Sequence, residues 1–156
     1  MPYIMRCATF GHSKCGVSEE ETKRLTKLFV DLIQRGTTEF LNGFYGDFDI
    51  ICAKIIRQLK MEFPFIKLIG VTAYNAPKDA TRNNEIKEMC DELEYPPLET
   101  VPKRFAITKR NEYMVDVADI IVFCVDIDFG GAYKTLEYAK SKNKEFINVG
   151  KFNMRP

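Results

Sequence analysis

The chain has 156 residues and a formal net charge of +1, with 46% hydrophobic and 29% charged residues. That length supports one hydrophobic core rather than two, and the composition carries too much apolar side chain for a disordered chain. The near-neutral balance excludes a strong long-range field, so bulk charge gives no reason to expect nucleic acid or a membrane surface as partner.

In chain order, Tyr3 to Phe10 is apolar and β-rich and ends at Gly11, which predicts a first strand. Ser18 is an N-cap residue followed by Glu19, Glu20 and Glu21, and Leu25, Leu28, Phe29, Leu32 and Ile33 give the ensuing helix one apolar face up to Gly36. Thr38 to Leu41 predicts a second strand, closed by the turn Asn42-Gly43-Phe44-Tyr45-Gly46-Asp47. A second helix runs through Ile50, Ile51, Ala53, Ile55, Ile56 and Leu59 and stops before Pro64. Ile66 to Val71 reads as a third strand, Thr72 to Thr81 as a loop, Asn84 to Leu93 as a short helix, and Tyr95 to Pro102 as extended and irregular. Helical periodicity returns with Phe105, Ile107, Tyr113, Met114 and Val117. The run Ile120 to Val125 is apolar on both alternations, as a strand covered on both faces must be. Gly130-Gly131 opens a last helix through Leu136, Tyr138 and Ala139, and Phe146 to Val149 supplies a final strand.

This alternation predicts an α/β fold: a Rossmann-like three-layer sandwich with a mainly parallel sheet of about five strands and helices on both faces, in a single domain over residues 1–156. The five cysteines, Cys7, Cys15, Cys52, Cys90 and Cys124, form no CxxC pair and read as reduced thiols, which implies a cytoplasmic protein. No run of about 18 apolar residues and no apolar leader with a cleavage site is seen, so neither membrane insertion nor secretion is expected.

Ligands in such sheets bind beyond the carboxyl ends of the strands. Three glycine turns fall there: Gly11-His12-Ser13, Gly43-Phe44-Tyr45-Gly46 and Gly130-Gly131. Glycine lets backbone approach a phosphate closely, and a helix start stabilises the anion with free N–H groups. No Walker loop and no GxGxxG motif is present, which disfavours a P-loop enzyme or a standard dinucleotide dehydrogenase. Asp126 and Asp128 lack a His partner, so no metal is assigned, and no cofactor is required. Cys15 with His12 as base is a weaker nucleophilic alternative. Lys103-Arg104 and Lys109-Arg110 beside Phe105 form a small basic cluster of the kind that more often marks a solvated helix face.

The pattern resembles the SLOG superfamily, within it the YpsA-like branch, with the LOG phosphoribohydrolases and the DprA DNA-processing proteins as relatives. The residues that carry the resemblance are Phe10-Gly11-His12, the turn Gly43 to Asp49, Arg110-Asn111-Glu112-Tyr113-Met114 followed by Asp119, and Gly130-Gly131. It implies a nucleotide-type ligand, such as a nucleoside monophosphate, ADP-ribose or a cyclic nucleotide. The ligand would be held by Gly11, His12, Ser13, Gly43, Phe44, Gly46, Asp47, Asp49, Arg110, Asn111, Gly130, Gly131, Lys134 and Thr135. Arg110 and Glu137 match the two residues by which LOG enzymes cleave the ribose–base bond, and would be catalytic if the protein were an enzyme. Phe129, Tyr133, Lys134 and Ser13 depart from the family pattern, so binding is expected rather than turnover. The resemblance further implies a homodimer or higher homo-oligomer, and a DprA-like DNA-processing role stands as the second alternative, with nucleic acid an unlikely partner.

Overall fold

A computed structural model describes residues 3–12 and 17–150. Six strands form one wholly parallel sheet: β1 (Met5–Gly11), β2 (Thr37–Asn42), β3 (Lys67–Val71), β4 (Glu92–Glu94), β5 (Ile120–Cys124) and β6 (Glu145–Asn148). Five helices connect them: α1 (Glu19–Gln34), α2 (Asp47–Leu59), α3 (Ala80–Met89), α4 (Ala106–Val117) and α5 (Gly131–Ser141). The strand order is β4-β3-β2-β1-β5-β6. The chain therefore winds outward from β1 through β4, crosses back, and continues on the other side of β1. That reversal puts a topological switch point between the ends of β1 and β5.

Side-chain alternation along the strands builds two core layers. Cys7, Phe40, Leu68, Ile120 and Val122 pack with Leu25 and Phe29 of α1, Phe48 and Ile56 of α2, and Ile86 of α3. Ala8, Leu41, Ile69, Ile121 and Phe123 pack with Met114 and Val115 of α4 and Leu136 and Ala139 of α5. Near-continuous burial of β1 and β5 follows from their central place, since a strand with helices on both faces has no solvent side. At the start of α1, Ser18 Oγ accepts from the Glu21 N–H at 3.1 Å and the Glu21 carboxylate accepts from the Ser18 N–H, a complete capping box.

Two expectations change. The segment read as a helix from Asn84 to Leu93 holds α3, shifted toward the amino end, and then a strand, which brings the expected sheet of about five strands to six. Only pairing creates β4: Glu92, Leu93 and Glu94 have weak strand preference, but they align with Ile69, Gly70 and Val71 while Leu93 packs on the core. The inward face of α4 also differs. Ala106, Arg110, Asn111, Met114 and Val115 are buried, whereas Phe105 is 45% exposed, so two polar residues occupy the core stripe of that helix.

Candidate functional site

At the switch point a cavity of about 330 Å³ opens between the end of β1, at Gly11 and His12, and the start of α5, at Gly130 and Gly131. Tyr45 of the β2–α2 turn, Asp49 in the first turn of α2, Arg110 and Asn111 of α4, and Phe129 also line it. Gly130 sits at φ +91°, a conformation that favours glycine, and turns the chain so that α5 begins on the cavity. Among the described residues no side chain caps that helix, and Ala132 in its first turn also lines the cavity. A Cβ on Gly131 would find nothing within 4 Å. The start of α5 is therefore an open set of backbone donors at the positive end of a helix.

The other two glycine turns have different reasons to be glycine. A Cβ at Gly11 would stand 2.4 Å from Phe48 Cβ, and one at Gly43 would stand 2.8 Å from the Arg110 Cζ. Both give up a side chain so that another can pack. The second turn is held by its own bonds. Asn42 Oδ1 accepts from the Phe44 N–H at 2.8 Å, Asn42 Nδ2 donates to the Asp49 carbonyl at 2.7 Å, and Asp49 Oδ2 accepts from the Tyr45 N–H at 3.0 Å. Phe44, at φ +51°, is committed to the core on the α1 and α2 face.

Arg110 is 3% exposed, and its guanidinium serves as a strut. Nη1 donates to the carbonyls of Gly43 at 3.1 Å and Val71 at 3.4 Å, while Nε and Nη2 donate to Asn111 Oδ1. Asn111 Nδ2 donates to Thr135 Oγ1 at 3.3 Å, and that hydroxyl donates to the Gly131 carbonyl at 2.8 Å. One network thus ties the ends of β2 and β3 to the first turn of α5. Burial pulls the Arg110 guanidinium below its ordinary range, opposed by the Asp49 carboxylate. Burial also pushes the Asp49 carboxyl up, against the Tyr45 N–H and the Arg110 charge. Among the described residues, Asp49 Oδ1 is buried at the cavity without a hydrogen-bond partner.

His12 bridges the two strand ends: its Nε2 accepts from the Asp126 N–H at 3.4 Å and lies 3.7 Å from Asp126 Oδ1. Of the residues expected from sequence, Gly11, His12, Asp49, Arg110, Asn111, Gly130 and Gly131 meet at this cavity. Gly43, Phe44, Gly46, Asp47, Lys134 and Thr135 do not line it. Ser13 and Cys15 lie outside the described residues. Glu137 is exposed on α5, 3.5 Å from Lys140 Nζ, and does not line the cavity with Arg110, so the geometry does not assemble a hydrolase from those two groups. Sequence reading did not single out Tyr45 and Phe129 as site residues, although an aromatic beside a glycine turn at a strand end was the available signal.

Fold and cavity together define a Rossmann-like α/β domain with a cavity at its switch point. Among solved structures, the chain is similar to DNA processing protein A (DprA) from Streptococcus pneumoniae, with a TM-score of 0.63 at 18% identity over 92% of this chain and 49% of that one. It is also similar to DprA from Helicobacter pylori, described for its single-stranded DNA binding mode, with a TM-score of 0.62 at 14% identity over 91% of this chain and 63% of that one. The chain thus spans between 49% and 63% of these neighbours, and the likeness at such identities is one of fold. No family model matches the chain, and no curated protein sequence matches it.

One expectation is overturned here. Nucleic acid was set aside as a partner on bulk charge, yet a protein of this fold binds single-stranded DNA. Net charge sums over the whole surface and says nothing of how cations are grouped on one edge. Among the described residues no helix is long and apolar enough to cross a membrane.

Proposed function

We propose that the chain binds single-stranded DNA along the carboxyl edge of its sheet, one nucleotide entering the cavity with its phosphate on the Gly130–Gly131 turn. The observation that carries this reading is the uncapped start of α5 with open space at Gly131, bordered by Tyr45 and Phe129, which are 62% and 66% exposed. A helix start attracts an anion, and exposed aromatic faces stack bases of any sequence at about 1–3 kcal/mol each. The fold shared with a single-stranded DNA binding protein supports the same ligand class, and the motif resemblance to the SLOG superfamily supports the same placement. Its YpsA-like branch fits better than its LOG branch, because binding without hydrolysis leaves Arg110 as a strut.

A second reading, a free nucleotide such as a nucleoside monophosphate or ADP-ribose, rests on Asp49 Oδ1, an unpartnered acceptor that a ribose hydroxyl or base N–H would satisfy. Fluorescence anisotropy of a labelled oligothymidylate tests both. A complex at low salt that Gly131→Val removes, and that mononucleotides displace only in large excess, is the expected result. Displacement by a mononucleotide at concentrations comparable to the oligonucleotide would assign the cavity to the free ligand. Absence of any complex at low salt would refute the DNA reading.

A further inference from the structure

Beyond the cavity, the same edge of the sheet carries a second groove, of about 300 Å³, between the β3–α3 and β4–α4 connections. Tyr74 and Lys78 line it from one connection and Leu98, Val101 and Lys103 from the other. Lys103 Nζ lies 5.6 Å from the centroid of the Tyr74 ring, and the next residue, Arg104, has its Cζ 4.8 Å from the ring of half-exposed Phe105. Among the described residues no carboxylate lies within ion-pair distance of Lys78, Lys103 or Arg104. Asp79, the acidic group facing this pair, has its Oδ2 engaged by the Ala76 N–H at 3.0 Å. The Lys78 ammonium holds Lys103 below its ordinary range, as two like charges facing one another must.

We infer that this groove is a second nucleotide subsite, in which Lys78 and Lys103 clamp a backbone phosphate and Tyr74 offers its face to a base. The inference rests on the DNA-binding reading above and adds the direction of the strand. Two facing ammonium groups that make no ion pair, with one carboxylate, Asp79, near them, are stabilised by an anion between them, and an aromatic ring beside the pair selects an anion that carries a planar apolar group. The two cavities share one wall: Ala106 lines the groove and the next residue of α4, Ile107, lines the switch-point cavity. A strand leaving the Gly130–Gly131 turn would pass over the start of α4 and reach Lys78 and Lys103. From β1 to β3 the edge covers two strand spacings, about 10 Å, so the second subsite is filled by the same strand and not by the same nucleotide.

The test is anisotropy with a labelled oligothymidylate of about four nucleotides and another of about sixteen, spanning the usual range of single-strand site sizes. It compares the wild type, Lys78→Ala/Lys103→Ala and Gly131→Val across a salt series. The double variant is expected to bind the longer strand roughly tenfold more weakly at low salt, with a log–log salt slope shallower by about 0.7, for the one phosphate that the pair neutralises. Its affinity for the shorter strand should stay at the wild-type value, whereas Gly131→Val loses both. Equal affinity and slope for the double variant and wild type on the longer strand would overturn the second subsite while leaving the first. Failure of the wild type to bind either strand would overturn both.

Discussion

A Cβ added at Gly11 would meet Phe48 at 2.4 Å, whereas one added at Gly131 would meet nothing. The two glycines look alike in the sequence, but the first is set by packing and the second by access to the cavity. Gly11→Ala should therefore destabilise the fold by about 1–3 kcal/mol through overpacking, and Gly131→Ala should leave the melting temperature unchanged to within a degree or two while weakening oligonucleotide binding. Thermal melts of the two variants beside a binding curve check this. Buried carboxylates differ in a similar way. Asp49 titrates high because burial outweighs the Tyr45 N–H bond and the Arg110 charge, so wild-type stability falls as pH rises through its range. Burial also pushes Glu94 up, but its bonds from Arg6 at 2.6 Å and Tyr113 at 2.6 Å outweigh that and hold it low, so it contributes stability above the ordinary carboxylate range and loses it in acid. Melts between about pH 3 and pH 7 should show Asp49→Asn gaining on the wild type as pH rises and Glu94→Gln falling behind it. Parallel pH profiles for the two variants would contradict the assignment.

At the scale of elements, α4 decides how the site is held. Its buried stripe includes Arg110 and Asn111, and through them the carbonyls at the ends of β2 and β3 are linked to Thr135 and the first turn of α5. Truncating Arg110 leaves the carbonyls of Gly43 and Val71 and Asn111 Oδ1 without their cationic donor, and the Asp49 carboxylate without its neighbouring positive charge, in a buried setting. Arg110→Ala should cost about 3 kcal/mol or more and reduce binding by loosening the turn, whereas exposed Glu137→Gln should change neither stability nor affinity. Chemical denaturation of both variants separates a structural Arg110 from a catalytic one, since a catalytic pair would lose turnover without that loss of stability. The strand β4 makes a related point: three residues with two glutamates become a strand because the edge of β3 offers hydrogen bonds, and Glu94 is then carried to Arg6.

For the molecule as a whole, a net charge of +1 leaves no field to steer a polyanion from a distance, so any DNA affinity must come from a few cations and aromatic faces gathered on one edge. The sequence by itself determined the layered α/β class, the positions of five strands, the N-cap of α1 and the presence of glycine turns at strand ends, because period-2 and period-3.6 patterns and turn chemistry are local properties. Strand direction also put the turns at Gly11, His12, Gly130 and Gly131 on one edge, and the SLOG resemblance singled out Asp49, Arg110 and Asn111, which line the same cavity. Only the tertiary structure decided which glycines face open space, that Arg110 turns inward to carbonyls, and that Lys78, distant in sequence, joins Lys103 beside Tyr74. Those outcomes depend on pairing and packing between segments far apart in the chain, and no local pattern of residues encodes the distance between them.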